Sequence, residues 1–351
     1  MPRLTTLITE LVTALGMTGV DSLDAGLSDI PRQIVGVGDD QWAAVVQARR
    51  SGDHGTHFDL AFGNGQAFLD APDGLRGRRP QVIEWKGEHK DPVPTPLPVD
   101  LRVDHVYLVS CKYGSKVLGN HSPQALFDGL LDGQHSRTKR GEEGDWYRLV
   151  APEAYSRLWD AMRSASCVAD LPADPAQMDK DQRDGVRKMF PGAALPPAVG
   201  AAYTELSTVV SRASAERLET RLGPVKDRMR ERFLWRLLRI GTAPYFILGS
   251  SDRKPPSPFR LRIGTPWDVH QVSSFHGLVI EPVDAGQPRV NMTAQYRMSD
   301  GTVRKVAMHV EIRWSHGKFG GAPEAKVYLD SAPSSVPGYF PLEADVGQLA
   351  L

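Results

Sequence analysis

The sequence predicts an α/β domain over residues 1–145, a helical segment over 146–241 and a β-rich antiparallel domain over 242–351. Three observations carry that division. Short apolar strand-like runs alternate with helical stripes in the first part, while residues 152–241 keep a helical period almost without interruption. After Ala243 the apolar period changes to two, the period of a half-buried strand.

Each element follows from local pattern. Leu4, Ile8, Leu11 and Leu15 share one helical stripe, and Gly16 offers a stop. A second helix is predicted over 39–50. Residues 58–69 read as a hairpin, because Gly63-Asn64-Gly65 separates two apolar runs. A strand at Val82–Lys86 leads into a proline-rich loop over 91–98, and 102–113 reads as one long, mostly buried strand. Ser122-Pro123 then starts a helix running to about Leu131. Helices are expected at 152–166, 177–189, 199–222 and 225–240. Strands are expected at 245–248, 259–263, 278–282, 290–298 and 303–314, with Ser299-Asp300-Gly301 turning the last two into a hairpin.

Composition bounds the function only loosely. Lys plus Arg and Asp plus Glu number 42 each in 351 residues, so bulk charge gives no argument for nucleic acid, although local basic patches remain open. Two cysteines, Cys111 and Cys167, are too few for a disulfide framework and lack zinc spacing. A reducing cytoplasm is the expected compartment. No apolar stretch reaches the roughly 18 residues of a membrane span, so no membrane association is expected.

The chemistry-bearing residues lie on the predicted strands. Side chains two apart on a strand share a face about 6 to 7 Å apart, so Glu84 and Lys86 project together, as do Ser110 and Lys112. Asp59 is a further acid within reach of this pattern, with His57 as a supporting group on its face. Carboxylate-held magnesium and a lysine supply what phosphodiester hydrolysis needs at neutral pH: a nucleophilic water, charge stabilisation and help for the leaving group. The plainer alternative is a solvated sheet face, on which acid-x-lysine arises by chance. Lys112 argues against it, because an ammonium in so apolar a run wants a partner, a need that Glu84 or Asp59 on an adjacent strand can equally meet in a purely structural ion pair.

With those residues in view, the region up to about residue 135 resembles the PD-(D/E)xK nuclease superfamily. That resemblance implies a restriction-endonuclease-like fold, bound Mg2+ with Mn2+ as the alternative ion, and DNA as substrate. Two registers fit. In one, Asp59 is the leading acid and Glu84 with Lys86 forms the acid-x-lysine pair, but a proline-rich loop and a strand follow where the family has a helix. In the other, Glu84 leads, Ser110-Cys111-Lys112 takes the acid-x-lysine place and a helix follows, but Ser110 replaces a carboxylate. Asp59 and Glu84 are thus the expected metal ligands, and Glu10 can match a helical glutamate of some members.

Basic residues elsewhere suggest contacts to nucleic acid. The 225–240 stretch interleaves Arg228 and Arg232 with apolar residues, the pattern of an amphipathic helix that can follow a phosphate backbone or pair with its own Asp227 and Glu231. Arg313 and Lys318 flank Trp314, which invites charge and stacking contacts, or simply a core tryptophan. The expected function is a metal-dependent DNA endonuclease in restriction or antiviral defence, with a second copy of the chain or a defence-complex subunit as partner. The alternative is a catalytically inactive nucleic-acid-binding or assembly subunit.

Overall fold

A computed structural model of the protein describes residues 3–87, 97–114, 117–129, 145–191, 195–251, 254–284 and 286–342. The proline-rich loop expected at 91–98 lies mostly outside these residues, as does the end of the helix expected after Ser122. The strands in chain order are β1 (Ile34–Val35), β2 (Ile83–Trp85), β3 (Leu101–Val103), β4 (Tyr107–Tyr113), β5 (Val117–His121), β6 (Tyr245–Ser250) and β7 (Pro258–Ile263). They continue as β8 (Ser273–Val283), β9 (Arg289–Met298), β10 (Val303–Arg313), β11 (Glu324–Leu329) and β12 (Tyr339–Pro341).

The fold is mixed α/β with two sheets, and its compact units are not consecutive segments. The first unit gathers residues 1–116, 239–272 and 336–351; the second gathers 117–238 and 273–335. The five strands expected in one C-terminal domain therefore divide between the units: β6 and β7 join the first sheet together with β12, while β8, β9 and β10 form the second with β5 and β11. The sequence reading foresees none of β5, β11 and β12. Local pattern places β6 to β10 but carries no information about which sheet a strand joins.

The first sheet has the order β1-β2-β3-β4-β6-β7-β12. β2, β3 and β4 run antiparallel in sequence, and β6 then lies parallel to β4. A parallel neighbour needs a long crossover, and here 131 residues separate Tyr113 from Tyr245, most of them the second unit. Ile83, Trp85, Leu101, Val103, Val109, Cys111, Phe246 and Leu248 face a core shared with the helices of the N-terminal region.

Two sequence expectations fail here for physical reasons. Residues 102–113 are not one strand. Asp104 and His105 adopt φ of +47° and +60°, and Val106 N–H donates to Val103 C=O, making a tight turn without glycine. Residues 58–69 are not a hairpin. They lie in a 16-residue helix, Gly55–Asp70. A Cβ on Gly65 would stand 2.1 Å from the Thr13 carbonyl oxygen, and one on Gly16 would stand 2.2 Å from that of Phe62. The glycines serve close approach of two helices, not a turn.

The helix over 4–17 is the other half of that contact. Every residue from Leu7 to Met17 is buried, so the single apolar stripe understates its role as an internal helix. Its middle, Ile8–Val12, is a π-helical turn, a local widening frequent at functional sites.

In the second unit β5-β11-β10-β9-β8 form an antiparallel sheet. Val290, Met292, Ala294 and Tyr296 on β9 and Val306, Met308, Val310 and Ile312 on β10 are buried, as the two-residue period requires. Helices Pro152–Ala165, Lys180–Met189, Pro197–Leu222 and Asp227–Leu237 occupy the region read as helical, and Pro197–Leu222 packs on β8 and β9. The turn at Asp300-Gly301 closes the β9–β10 hairpin, with Gly301 at φ +85°.

Candidate active site

The acids and lysines singled out in the sequence do not all meet. Asp59 sits on the Gly55–Asp70 helix rather than on a strand, with 74% of its side chain exposed and Arg49 3.9 Å away. This overturns its expected position on a strand beside Glu84. Glu84 is on β2, but β3 lies between it and β4, so it does not neighbour Ser110 and Lys112 as the second register requires.

Glu84 is instead held by two cations and a histidine. Its Oε2 is 2.6 Å from Arg102 Nη2 and 3.3 Å from Lys86 Nζ, while His105 Nδ1 lies 2.9 Å from Oε1. Burial by itself would raise its pKa, yet Arg102 and Lys86 hold the carboxyl below its ordinary value. This arrangement accounts for Lys86 as well.

The carboxylate that meets Ser110 is Asp100. The β3–β4 ladder carries Asp100 N–H to Val109 C=O, and beyond that point the Asp100 side chain replaces the backbone of the neighbouring strand. Its Oδ2 accepts the Cys111 amide at 2.6 Å and the Ser110 hydroxyl at 3.1 Å. Ser110 is wholly buried, so its hydroxyl needs such a partner. Lys86 N–H donates to the Asp100 carbonyl, which ties β2 to the same point.

Glu10 completes the group from the π-helical turn. It is only 8% exposed and accepts Trp85 Nε1–H at 2.6 Å. Burial pushes its carboxyl up to about 7; the Asp100 charge adds to the rise, while the Trp85 bond and the Lys112 charge oppose it. The same surroundings act on Cys111, whose thiol is raised by burial and by the charges of Asp100 and Glu10 against Lys112. That thiol is an inert core group rather than a nucleophile.

Lys112 follows from β4 and is held from its other side. A Cβ on Gly249 of β6 would stand 2.0 Å from the Lys112 carbonyl oxygen, so only glycine admits this strand contact. Asn64 spans from the 55–70 helix to the same place, donating to Gly249 C=O at 2.8 Å and accepting Arg260 Nε–H at 2.7 Å.

Beside Glu10 opens a cavity of about 270 Å³ lined by Arg3, Thr5, Thr6, Thr9, Glu10, Cys111 and Tyr113. Thr9 Oγ1 donates to Thr5 C=O, so it accepts from His57 Nε2 at 2.7 Å and fixes the tautomer. Burial, with His54 as a lesser cause, drives the His57 pKa down to about 4, and its ring stacks on Tyr113 at 3.8 Å. His57 thus supports the cavity wall rather than Asp59.

The residues present suit a hard divalent cation in one respect. Glu10 is a buried carboxylate repelled by Asp100, and magnesium takes one or two carboxylates together with waters and substrate oxygens. Among the described residues no cluster of three or more His, Cys, Asp or Glu side chains has the arrangement of a metal site.

The basic residues of the second unit are placed separately. Arg228 and Arg232 are exposed on the Asp227–Leu237 helix, whose Glu231, Phe233, Leu234 and Leu237 are buried. Arg230 turns back to cap the preceding helix through the Leu222 and Gly223 carbonyls. Arg313 Nη1 is 3.8 Å from Glu311, and Lys318 lies over the Tyr203 ring at 4.9 Å. Trp314 packs between Tyr147 and Phe319, which leaves it little freedom to stack on a ligand.

Asp100 had a trace in the sequence: an acid directly after Pro98-Val99, ten residues before Ser110. It becomes legible only once 102–113 is split by the Asp104-His105 turn. Among known proteins, the chain matches no family model, no curated protein and no solved structure. Among the described residues no helix is long and apolar enough to cross a membrane.

Proposed function

We propose that the chain is a magnesium-dependent nuclease hydrolysing DNA phosphodiesters, with Asp100 and Lys112 at the centre of its site and Glu10 as the second carboxylate. The observation that carries this reading is the pairing of Asp100, directly before β3, with Ser110 and the Cys111 amide of β4, with Lys112 next on that strand and a buried helical glutamate in electrostatic reach. The order helix, three antiparallel strands, then a strand parallel to the third supports a restriction-endonuclease-like core. Asp100 takes the place that Glu84 held in the sequence-based register.

Glu10 and Asp100 would hold the ion, with Mn2+ able to replace Mg2+. Bound there, it supplies Lewis acidity and a water of lowered pKa. The protein's own groups do the rest. Lys112 neutralises charge that builds on the phosphate oxygens as the water oxygen bonds to phosphorus and the ester oxygen departs with a proton. Ser110 and the Cys111 amide fix the Asp100 carboxylate, and Trp85 fixes Glu10. Restriction of foreign DNA is the biological role this chemistry suits.

A second reading rests on Ser110 itself. A hydroxyl where the resemblance has an acid leaves fewer ligands, which favours a nucleic-acid-binding subunit that no longer cuts. Purified wild type, Asp100→Asn, Lys112→Ala and Glu84→Gln proteins incubated with plasmid and single-stranded DNA in Mg2+, Mn2+ or EDTA separate the two. Metal-dependent cutting, lost at least about 100-fold in the first two variants and kept in the third, supports the nuclease. Binding without cutting in either metal supports the subunit.

A further inference from the structure

Tyr113 has an environment that the hydrolytic chemistry does not use. It ends β4, lines the cavity beside Glu10 and is 47% exposed. One face of its ring is covered by His57 at 3.8 Å with 26° between the planes. His57 is itself 95% buried and locked by Thr9, so the tyrosine rests on a fixed backing rather than rotating freely. The remaining lining is Cys111 together with Arg3, Thr5, Thr6 and Thr9, of which the Thr9 hydroxyl is already engaged by Thr5 C=O and His57, leaving Arg3, Thr5 and Thr6 to meet a ligand. Among the described residues His57 Nδ1 has no hydrogen-bond partner, so the ring is held through Nε2 by Thr9 and otherwise by packing.

An exposed aromatic face next to cationic and hydroxyl groups is the chemistry that takes a nucleotide: the ring stacks the base, and the polar groups meet its phosphate. The cavity of about 270 Å³ lies just below the roughly 300 Å³ at which small-ligand sites begin, room for one base or phosphate group at a time and not for a duplex. In a duplex every internal base already has both faces stacked, so only an unpaired, terminal or extruded base can present one to Tyr113.

We propose that Tyr113, backed by His57, is a stacking platform for one unpaired nucleobase beside the Glu10–Asp100–Lys112 group, which makes single-stranded or frayed nucleic acid the preferred substrate. This rests on the nuclease reading for the identity of the ligand. Base–aromatic stacking contributes about 1 to 3 kcal/mol per base, so loss of the ring weakens binding roughly 5- to 150-fold.

The test is binding in EDTA, where no cutting is expected. Single-stranded oligonucleotides carrying one 2-aminopurine are titrated with wild type, Lys112→Ala, Tyr113→Phe and Tyr113→Ala proteins, with the matched duplex as competitor. Quenching by wild type and Tyr113→Phe, lost or weakened at least 5-fold in Tyr113→Ala, supports the platform. Equal quenching and affinity in Tyr113→Ala overturns it, as does a duplex that competes as well as the single strand. Because Tyr113 is exposed, circular dichroism of Tyr113→Ala should match wild type. Quenching that persists in Lys112→Ala while wild type fails to cut in Mg2+ removes the nuclease and keeps the platform. Cutting by wild type without quenching removes the platform alone.

Discussion

The Ser110 hydroxyl donates to Asp100 Oδ2 at 3.1 Å, so the residue standing in the acid's place is bound to a carboxylate directly before the neighbouring strand β3. Restoring an acid there is informative. Ser110→Asp would set a buried carboxylate against the half-buried Asp100 near Glu10, and the variant should melt below wild type in EDTA. Millimolar Mn2+ should raise its melting temperature by more than it raises wild type, since a ligand bound only by the native state stabilises by mass action. A variant whose melting ignores Mn2+ would remove the metal from this place.

The Glu10 carboxyl gives a pH dependence with a definite sign. Its folded pKa lies at about 7, above the ordinary 4.5, so between those values the native state holds a proton that the unfolded chain has released. Stability therefore falls as pH rises from about 4.5 to about 7, by roughly 3 kcal/mol for this group, and the loss is complete above that window. Glu10→Gln should remove this part of the dependence. Urea unfolding of both proteins in EDTA at pH 5.5 and 8.0 checks it, and parallel behaviour of the two would show that Glu10 is ionised throughout.

Two neighbouring glycines should respond in opposite ways to the same change. Gly65→Ala places a methyl 2.1 Å from the Thr13 carbonyl oxygen and must separate two buried helices, at a cost of about 3 kcal/mol or more. Gly63→Ala meets nothing nearer than Arg260 Nη2 at 3.9 Å and gains helix propensity, worth about 0.5 to 1 kcal/mol. Chemical denaturation of the pair is the check. A hairpin at 63–65 would reverse or equalise the effects.

Asp59 and Glu84 separate position from chemistry. Asp59→Ala should change stability by less than about 0.5 kcal/mol and leave cutting intact, because the side chain is exposed. Glu84→Gln should cost on the order of 1 kcal/mol through its lost pairs with Arg102 and Lys86, without abolishing metal-dependent cutting. Loss of cutting in Asp59→Ala with normal folding would place the site on the 55–70 helix instead.

The basic helix can be weighed by salt. Replacing both Arg228 and Arg232 by Ala should weaken DNA binding at low salt and reduce the slope of log affinity against log salt by roughly 1.4 to 1.8 if both meet phosphates. An unchanged slope would leave those side chains as a solvated helix face.

What the sequence determined by itself was periodicity. The strands from β6 to β10, the helices of the middle region and the Asp300-Gly301 hairpin stand where apolar spacing put them, because side-chain alternation is a local property of the chain. The rest was decided by contacts distant in sequence. Gly63-Asn64-Gly65 reads locally as a turn, yet it is helical because Gly16 and Thr13, about fifty residues away, require a surface without side chains. Glu84 looked like the leading acid until strand order set β3, with Asp100 and Arg102, between it and Lys112. Asp100 became visible only when the Asp104-His105 turn divided an apparently continuous strand, and the burial of Glu10, named from the resemblance alone, only when its helix proved to be internal. Register and burial depend on what the rest of the chain packs against a residue, and neither is written in the residues beside it.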